Sequence, residues 1–503
     1  MNGAQVLSGV SLKSPLTPEF ASAEIGGLAY DSRRVGQNYL FFAFPGAKAD
    51  GRAFARAAVD RGAIAVASES PRHEGFPAAI PWIQVEHGRH ALATAGRNFY
   101  RCPDDKLGLT AVTGTNGKTT SVYLIDAILR AAGYITAMIG TIEYHLAGKV
   151  LPAVNTTPES LDVLRILDGL LLAGGPQAPL SAALSATMEV SSHALALGRV
   201  YGFRFHTAVF TNLTRDHLDF HETMENYFRA KHLLFESNGG RPPLFAIINR
   251  DDDYGKRIKP AAGVETCWYG LGPDANLRAR HIDSSFKGLK FDIQAGKQRI
   301  DIDSRMIGRI NVYNILAAAG AALSYGIAPD AIARGIAQCR GIPGRFERID
   351  EGQPFAVVVD YSHTDDALRN ALTAARGLSP KRILTVFGCG GDRDRTKRPL
   401  MGKAAGELSD FVVLTSDNPR SEDPLQIMND AMVGLQRTES KHVFEPDREE
   451  AIRRAIEEAR AGDFVLIAGK GHETYQIFAD RTIHFDDREV ARKVLKEFGY
   501  PKA

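Results

Sequence analysis

The chain is poor in cysteine, nearly neutral and free of long apolar runs, and each shortage closes off a class of function. Its 503 residues include four cysteines, Cys102, Cys267, Cys339 and Cys389, far apart and with no C-x-x-C pair. That spacing points to a reducing compartment. The net charge of +2, with acids and bases mixed along the chain, gives no case for a nucleic-acid partner. No apolar run approaches the ~20 residues of a membrane span. Met1 to Val10 lacks the charged-then-apolar pattern of a signal peptide. Internal repeats and long low-complexity segments are also missing. The expectation is a cytoplasmic monomer acting on soluble substrates, without nucleic acid or membrane.

What is present is an ordinary globular composition, long enough for about three or four domains. Three blocks read differently. The first, 1–105, has short strand-like pieces at 39–44 and 63–66 and a loop at 45–51. The second, 106–341, alternates apolar strands (109–112, 134–139, 183–188, 207–210, 245–248) with amphipathic helices, then a hairpin-like stretch at 282–302 and an Ala-rich helix at 312–324. Such alternation predicts an α/β fold with a mostly parallel sheet. The third, 342–503, begins at Gly341-Ile342-Pro343-Gly344-Arg345 and carries four apolar strands, each ending in a polar or Gly-rich loop. If those strands are parallel, the four loops share the C-terminal edge, where open α/β sheets bind ligands.

Residues 109–112 form a strand that enters Thr113-Gly114-Thr115-Asn116-Gly117-Lys118-Thr119-Thr120 and then a helix. Backbone N–H groups and the helix dipole of such a loop face phosphate, Lys118 reaches the terminal phosphates, and Thr119 can hold Mg²⁺. The loop is shortened, because Val112 occupies the place of the usual first glycine. A phosphate loop alone does not name a reaction.

Residues 224–235 read as a helix whose buried stripe is Met224, Tyr227, Phe228, Leu234 and Phe235, and Lys231 falls on that stripe. An unpaired lysine there costs several kcal/mol by order of magnitude; alternatively its stem snorkels to water. Upstream, His217 follows the strand 207–210 and Glu189 ends the strand 183–188. His217 has a bland reading as a surface or capping residue. A parallel sheet would instead line up Glu189, His217 and the phosphate loop, and their oxygen and nitrogen ligands suit Mg²⁺ beside phosphates.

In order along the whole chain, the shortened loop, Glu189-Val190-Ser191-Ser192-His193, Asn212-Leu213-Thr214-Arg215-Asp216-His217-Leu218-Asp219, Tyr227-x-x-x-Lys231, Asn311-Val312-Tyr313-Asn314, Gly344-Arg345-Phe346-Glu347 and Asp360-Tyr361-Ser362-His363 resemble the Mur ligases. Asp31-Ser32-Arg33 and Asn155-Thr156-Thr157-Pro158 resemble the MurE branch, which adds the third residue to UDP-N-acetylmuramoyl-L-alanyl-D-glutamate. The resemblance implies three domains: an N-terminal UDP-binding α/β domain, a central ATPase-like domain and a C-terminal Rossmann-like domain. It implies an ATP-dependent amide ligase of peptidoglycan synthesis that works through an acyl phosphate. It also implies two Mg²⁺ ions, one on Thr119 and Glu189, the other on His217 and a carbamylated Lys231. Gly114 to Thr120, Asn311, Asn314, Arg345 and Asp360 would bind ATP; Lys118, Glu189, His217, Lys231 and Arg345 would be catalytic. Tyr30, Ser32, Ala47, Lys48, Ala49, Asn155, Thr156, Thr157, Ser191 and Arg199 would bind the UDP-sugar peptide. Two departures stand out: Ala47-Lys48 where the family often has His-Gln, and Leu197 where it has Gln.

The third block should recognise the incoming amine. Asp417-Asn418-Pro419-Arg420 could be merely a turn. Arg420 and Arg393 can, however, bind a carboxylate bidentately, and Glu473, in the loop beginning at Gly469, can take an ammonium. A distal carboxylate and amine belong to meso-diaminopimelate, so that amine is expected over lysine, the runner-up. Folylpolyglutamate synthetase is a more distant alternative. A regulatory protein that kept the fold and lost ligation is the alternative from another class.

Overall fold

The computed structural model describes residues 1–46, 49–175 and 184–500. Ala47 and Lys48 lie outside the described residues. The chain divides into two compact units, the first of residues 1–269 and 317–328, the second of 270–316 and 329–503.

The first unit holds two sheets. In its N-terminal part β1 (Gly27–Ala29), β2 (Tyr39–Phe42), β3 (Ala63–Ser68) and β4 (Trp82–Gln84) pair in parallel, in that order. The larger sheet uses β5 (Gly108–Thr113), β6 (Ile135–Ile139), β7 (Glu143–Leu146), β8 (Lys149–Pro152), β9 (Leu184–Glu189), β10 (Thr207–Phe210), β11 (Phe245–Asn249) and β12 (Glu265–Gly270). Its order is β12-β11-β10-β5-β9-β6-β7-β8, and all neighbours are parallel up to β6. Strands covered on both faces by helices are buried on both faces; β9 and β10 are buried along their full length. The helix Lys118–Ala131 covers one face, with Leu124, Ile125, Ile128 and Leu129 in the core. The β7–β8 hairpin ends the sheet antiparallel, and β8 is exposed at every residue.

The second unit begins with β13 (Leu277–Ser285), β14 (Gly288–Ala295) and β15 (Gln298–Ser304). The expected hairpin is thus a three-stranded antiparallel meander. Gly296 supplies positive φ for the second turn, whereas the first, Phe286-Lys287, has no turn-forming residue to announce it. Residues 310–316, the start of the Ala-rich helix Ile310–Ser324, also belong to this unit. Then come β16 (Glu347–Ile349), β17 (Ala356–Asp360), β18 (Ile383–Phe387), β19 (Phe411–Leu414), β20 (Lys441–Phe444) and β21 (Phe464–Ala468), in the order β16-β17-β21-β18-β19-β20. The four strands read from sequence, β17, β18, β19 and β21, are indeed parallel, so their loops leave from one edge.

Candidate active site

The phosphate loop follows β5 and is tied to residues 211–212. Gly114 has φ +150°, and a Cβ there would sit 1.9 Å from Thr211 Oγ1, so only glycine fits. Asn116 N–H donates to Asn212 Oδ1 at 2.9 Å, and Thr211 Oγ1 donates to Asn116 O at 2.6 Å. The loop after β10 therefore holds the loop after β5. Gly117 has φ +84° and opens the helix Lys118–Ala131. Lys118 Nζ donates to the carbonyls of Gly114 and Thr115 at 2.9 and 2.8 Å, folded over its own loop. Thr119 and Thr120 are buried at the helix start.

Lys231 does not snorkel. It lies on the helix Met224–His232, is 1% exposed, and donates from Nζ to Gly114 O at 2.8 Å. Its ammonium is 4.8 Å from the Tyr227 ring centre. Burial, reinforced by the charge of Lys118, holds its pKa well below the usual lysine value. Glu189 closes β9 at 1% exposure. Its Oε1 accepts from Thr141 N–H at 2.7 Å and its Oε2 from Thr141 Oγ1 at 3.1 Å. His217 sits in the left-handed region at φ +53°, edge-on to His193, and burial pushes its imidazole down to about 4. Because β9, β5 and β10 are parallel neighbours, Glu189, the phosphate loop and the His217 segment all leave one sheet edge. Among the described residues no group of three or more His, Cys, Asp or Glu gathers at metal-ligand spacing.

Beside this edge a polar lattice joins the N-terminal part to the helix Ser160–Ala173. The Tyr30 hydroxyl donates to Asp162, which also pairs with Arg34 at 2.8 Å. Glu159 pairs with Arg89 at 3.1 Å and with Arg199 at 3.2 Å. Arg199 Nη1 donates to Thr157 O at 3.0 Å, Thr157 Oγ1 to Glu189 O at 2.8 Å, and Ser191 N–H to Thr157 Oγ1 at 3.0 Å. Thr156 and Thr141 share a hydroxyl contact of 3.1 Å, and the Tyr144 hydroxyl donates to Asn155 O at 2.6 Å. Asn155, Thr156, Thr157, Ser191 and Arg199 are thus brought together next to Glu189. Ser32 is buried, Ala49 exposed and Leu197 half-buried. Arg89, Thr141, Tyr144 and Glu159 escaped the sequence reading. Only Glu159 carried a signal, as the residue before a helix.

In the second unit Asn311 Nδ2 donates to Ile307 O at 2.8 Å, and Asn314 Nδ2 to Asn311 Oδ1 at 2.9 Å. Asp360 ends β17, accepts from Phe346 N–H at 2.7 Å and from the Ser362 hydroxyl, and is pushed up by burial. The Arg345 guanidinium lies 4.5 Å from the Tyr361 ring centre. At the end of β19, Asn418 Nδ2 donates to Glu473 Oε2 at 2.7 Å, and Lys470 Nζ donates to Asn418 Oδ1 at 3.1 Å. Burial, and then Asp417, raise the Glu473 carboxyl. Asp417 Oδ1 accepts from Asn418 N–H at 2.6 Å. Arg420 has φ +53° and donates to Gly391 O at 2.8 Å. Arg393 is exposed and donates to the carbonyl of Asp392 at 3.2 Å. Lys470, fully buried, is a further residue the sequence reading missed.

Three family models match: the Mur ligase family catalytic domain at residues 24–100, the Mur ligase middle domain at 112–322 and the Mur ligase glutamate ligase domain at 344–471. A relative from Solibacter usitatus, named UDP-N-acetylmuramoyl-L-alanyl-D-glutamate–2,6-diaminopimelate ligase, is 67% identical over 500 residues, 99% of each chain. A solved structure of a ligase with the same name is 33% identical, covers 99% of each chain and has a TM-score of 0.68. The fold also matches MurF ligase from Thermotoga maritima in complex with ADP, at 17% identity, 94% of this chain, 98% of that chain and a TM-score of 0.60. No helix among the described residues is long and apolar enough to cross a membrane. With its three-block order, its shortened phosphate loop and full-length likeness to these relatives, the chain belongs to the Mur ligase family.

Proposed function

We propose that this protein is an ATP-dependent carbon–nitrogen ligase. It adds meso-2,6-diaminopimelate to UDP-N-acetylmuramoyl-L-alanyl-D-glutamate in peptidoglycan precursor synthesis, in the cytoplasm and as a monomer. The observation that carries the reading is the single sheet edge with the phosphate loop, the buried Glu189 and the buried Lys231 held on Gly114. The relatives' shared name supports the choice of substrates, and lysine as the third residue is not favoured. The blocks 1–105, 106–341 and 342–503 then serve the UDP-sugar, ATP and the amino acid.

The γ-carboxylate of the D-glutamyl residue attacks the γ-phosphorus of ATP, ADP leaves, and the incoming amine, after its ammonium has lost a proton, opens the acyl phosphate with loss of phosphate. This chain contributes position and charge. Lys118 and the loop N–H groups take the phosphates. Asn311, Asn314, Arg345 and Asp360 serve the nucleotide. The Glu159 carboxylate, between Arg89 and Arg199, steadies the Asn155–Thr157 segment that, with Tyr30, Ser32, Ser191 and the 47–49 loop, takes the UDP-sugar peptide. Asp417, Asn418, Pro419, Arg420, Arg393, Gly469 and Glu473 recognise the amine.

Thr119 and Glu189 would hold one Mg²⁺ ion, and His217 with a carbamylated Lys231 a second. Bound Mg²⁺ would supply charge neutralisation on the phosphates. Burial makes His217 neutral and leaves Lys231 poorly able to keep its proton. A neutral amine attacks CO₂ and releases a proton, giving a carbamate whose oxygens would serve as metal ligands. The cation conflict between Lys231 and Lys118 supports that modification.

The test is incubation with ATP, the UDP-dipeptide and either diaminopimelate or lysine, with phosphate and tripeptide measured. Phosphate and tripeptide with diaminopimelate are expected. No phosphate with either amine sinks the ligase reading, and product with lysine alone sinks the role of Arg420.

A further inference from the structure

The loops that carry Asp417 to Arg420 and Gly469 to Glu473 leave β19 and β21, which are not neighbours; β18 lies between them. They nevertheless meet. The chain after β19 crosses the end of β18 because residue 388 is glycine: a Cβ there would lie 2.6 Å from Thr415 O and 3.0 Å from Asp417 N. Gly469 does the same from the other side, where a Cβ would stand 2.6 Å from Asp417 Oδ2.

Beneath this crossing lies a buried ion pair that no part of the mechanism uses. Arg448 opens the helix Arg448–Glu458, and Asp487 opens the helix Asp487–Glu497. Both side chains are 0% exposed. Arg448 Nε and Nη2 donate to the two carboxylate oxygens of Asp487, each at 2.7 Å. The donors left over face two backbone carbonyls: Nη1 donates to Ser416 O at 3.3 Å, and Nη2 also to Ala468 O at 3.0 Å. Ser416 directly precedes Asp417, and Ala468 directly precedes Gly469. One planar guanidinium, oriented by one carboxylate, thus grips the last fixed residue of each loop. Arginine's fork geometry allows this; a lysine ammonium on a flexible stem cannot hold the same four acceptors.

We propose that Arg448, oriented by Asp487, is a positioning residue for the amine substrate: it sets the spacing between the Asp417–Arg420 and Gly469–Glu473 loops and thereby the fit of diaminopimelate. The inference rests on the amine-site reading above. Lys470 completes the same frame from within, joining Asn418 to Glu473.

The test uses the full-length protein and the variants Arg448→Lys and Asp487→Asn. KM is measured for diaminopimelate, ATP and the UDP-dipeptide. Phosphate release is also measured with hydroxylamine, a small nucleophile that opens an acyl phosphate to a hydroxamate without needing the amine site. In Arg448→Lys the KM for diaminopimelate is expected to rise about tenfold or more. The other two KM values and the hydroxylamine rate should stay within about twofold of the parent. Asp487→Asn, which is isosteric, should move KM in the same direction by less. An unchanged KM for diaminopimelate in both folded variants overturns the proposal. A parallel fall of every rate, or failure of both variants to fold, also overturns it, leaving a purely structural pair. Absence of phosphate release from the parent protein with either nucleophile would instead remove the ligase reading on which it stands.

Discussion

Lys231 in the first unit and Arg448 in the second are both buried, yet their surroundings differ. Arg448 faces a carboxylate with bidentate geometry and two carbonyls. Lys231 faces a carbonyl, an aromatic ring and the positive charge of Lys118. An arginine cannot shed its proton, so it can be buried only with a counter-ion; a lysine can, so it can be buried where a neutral, nucleophilic amine is wanted. The contrast separates a frame built to stay fixed from a side chain prepared for chemistry.

The strongest way to break this contrast is to give position 231 a permanent charge. Lys231→Arg and Lys231→Ala should both lower ligation by about 10²–10³-fold, without rescue by bicarbonate, since the attachment amine is gone in each. Full activity in Lys231→Arg would mean that the side chain works as a cation, and the carbamate would be wrong. Next in size is Arg420→Ala. Loss of a charge-assisted contact to the distal carboxylate should raise the KM for diaminopimelate by about 10–100-fold and leave that for ATP unchanged. An unchanged KM for diaminopimelate would remove Arg420 from the amine site.

A smaller effect sharpens the comparison through pH. Between the depressed pKa of Lys231 and its usual 10.5, the unfolded chain holds a proton there that the native state lacks. Stability therefore rises with pH across that window. In bicarbonate-free buffer the melting temperature of the parent should rise by a few degrees more, by order of magnitude, than that of Lys231→Met. Identical pH slopes would show that Lys231 does not stay neutral. Smallest is Tyr30→Phe. Removing one hydroxyl bond to Asp162 costs about 1 kcal/mol, an increase of about fivefold in the KM for the UDP substrate. A shift in the KM for diaminopimelate instead would place Tyr30 outside that role.

Features that are continuous in sequence were legible, and those assembled from distant segments were not. The phosphate loop declares itself because strand, glycines and helix start are consecutive. Lys231 stands out because a period of 3.6 residues assigns each helix position a face, and a cation on the apolar one is conspicuous. The four parallel strands of the second unit were visible as apolar runs, and their shared edge followed from topology alone. Arg448 carries no signal in the sequence, because its partners, Ser416, Ala468 and Asp487, lie on three other segments. Glu159, Arg89 and Lys470 were hidden for the same reason. The first turn of the meander was missed because Phe286-Lys287 has no Gly, Asn, Asp or Pro.

The strand order of the second unit also has a consequence for synthesis. β21 is central in the sheet, between β17 and β18, yet it is the last of the six strands to be made. Until it emerges from the ribosome, β17 and β18 each present an apolar edge with no partner, and the sheet cannot close. Unpaired edges of this kind are the surfaces through which nascent chains aggregate or recruit chaperones. The central strand, which leads directly into the Gly469–Glu473 loop, thus makes the amine site one of the last features to form on the growing chain.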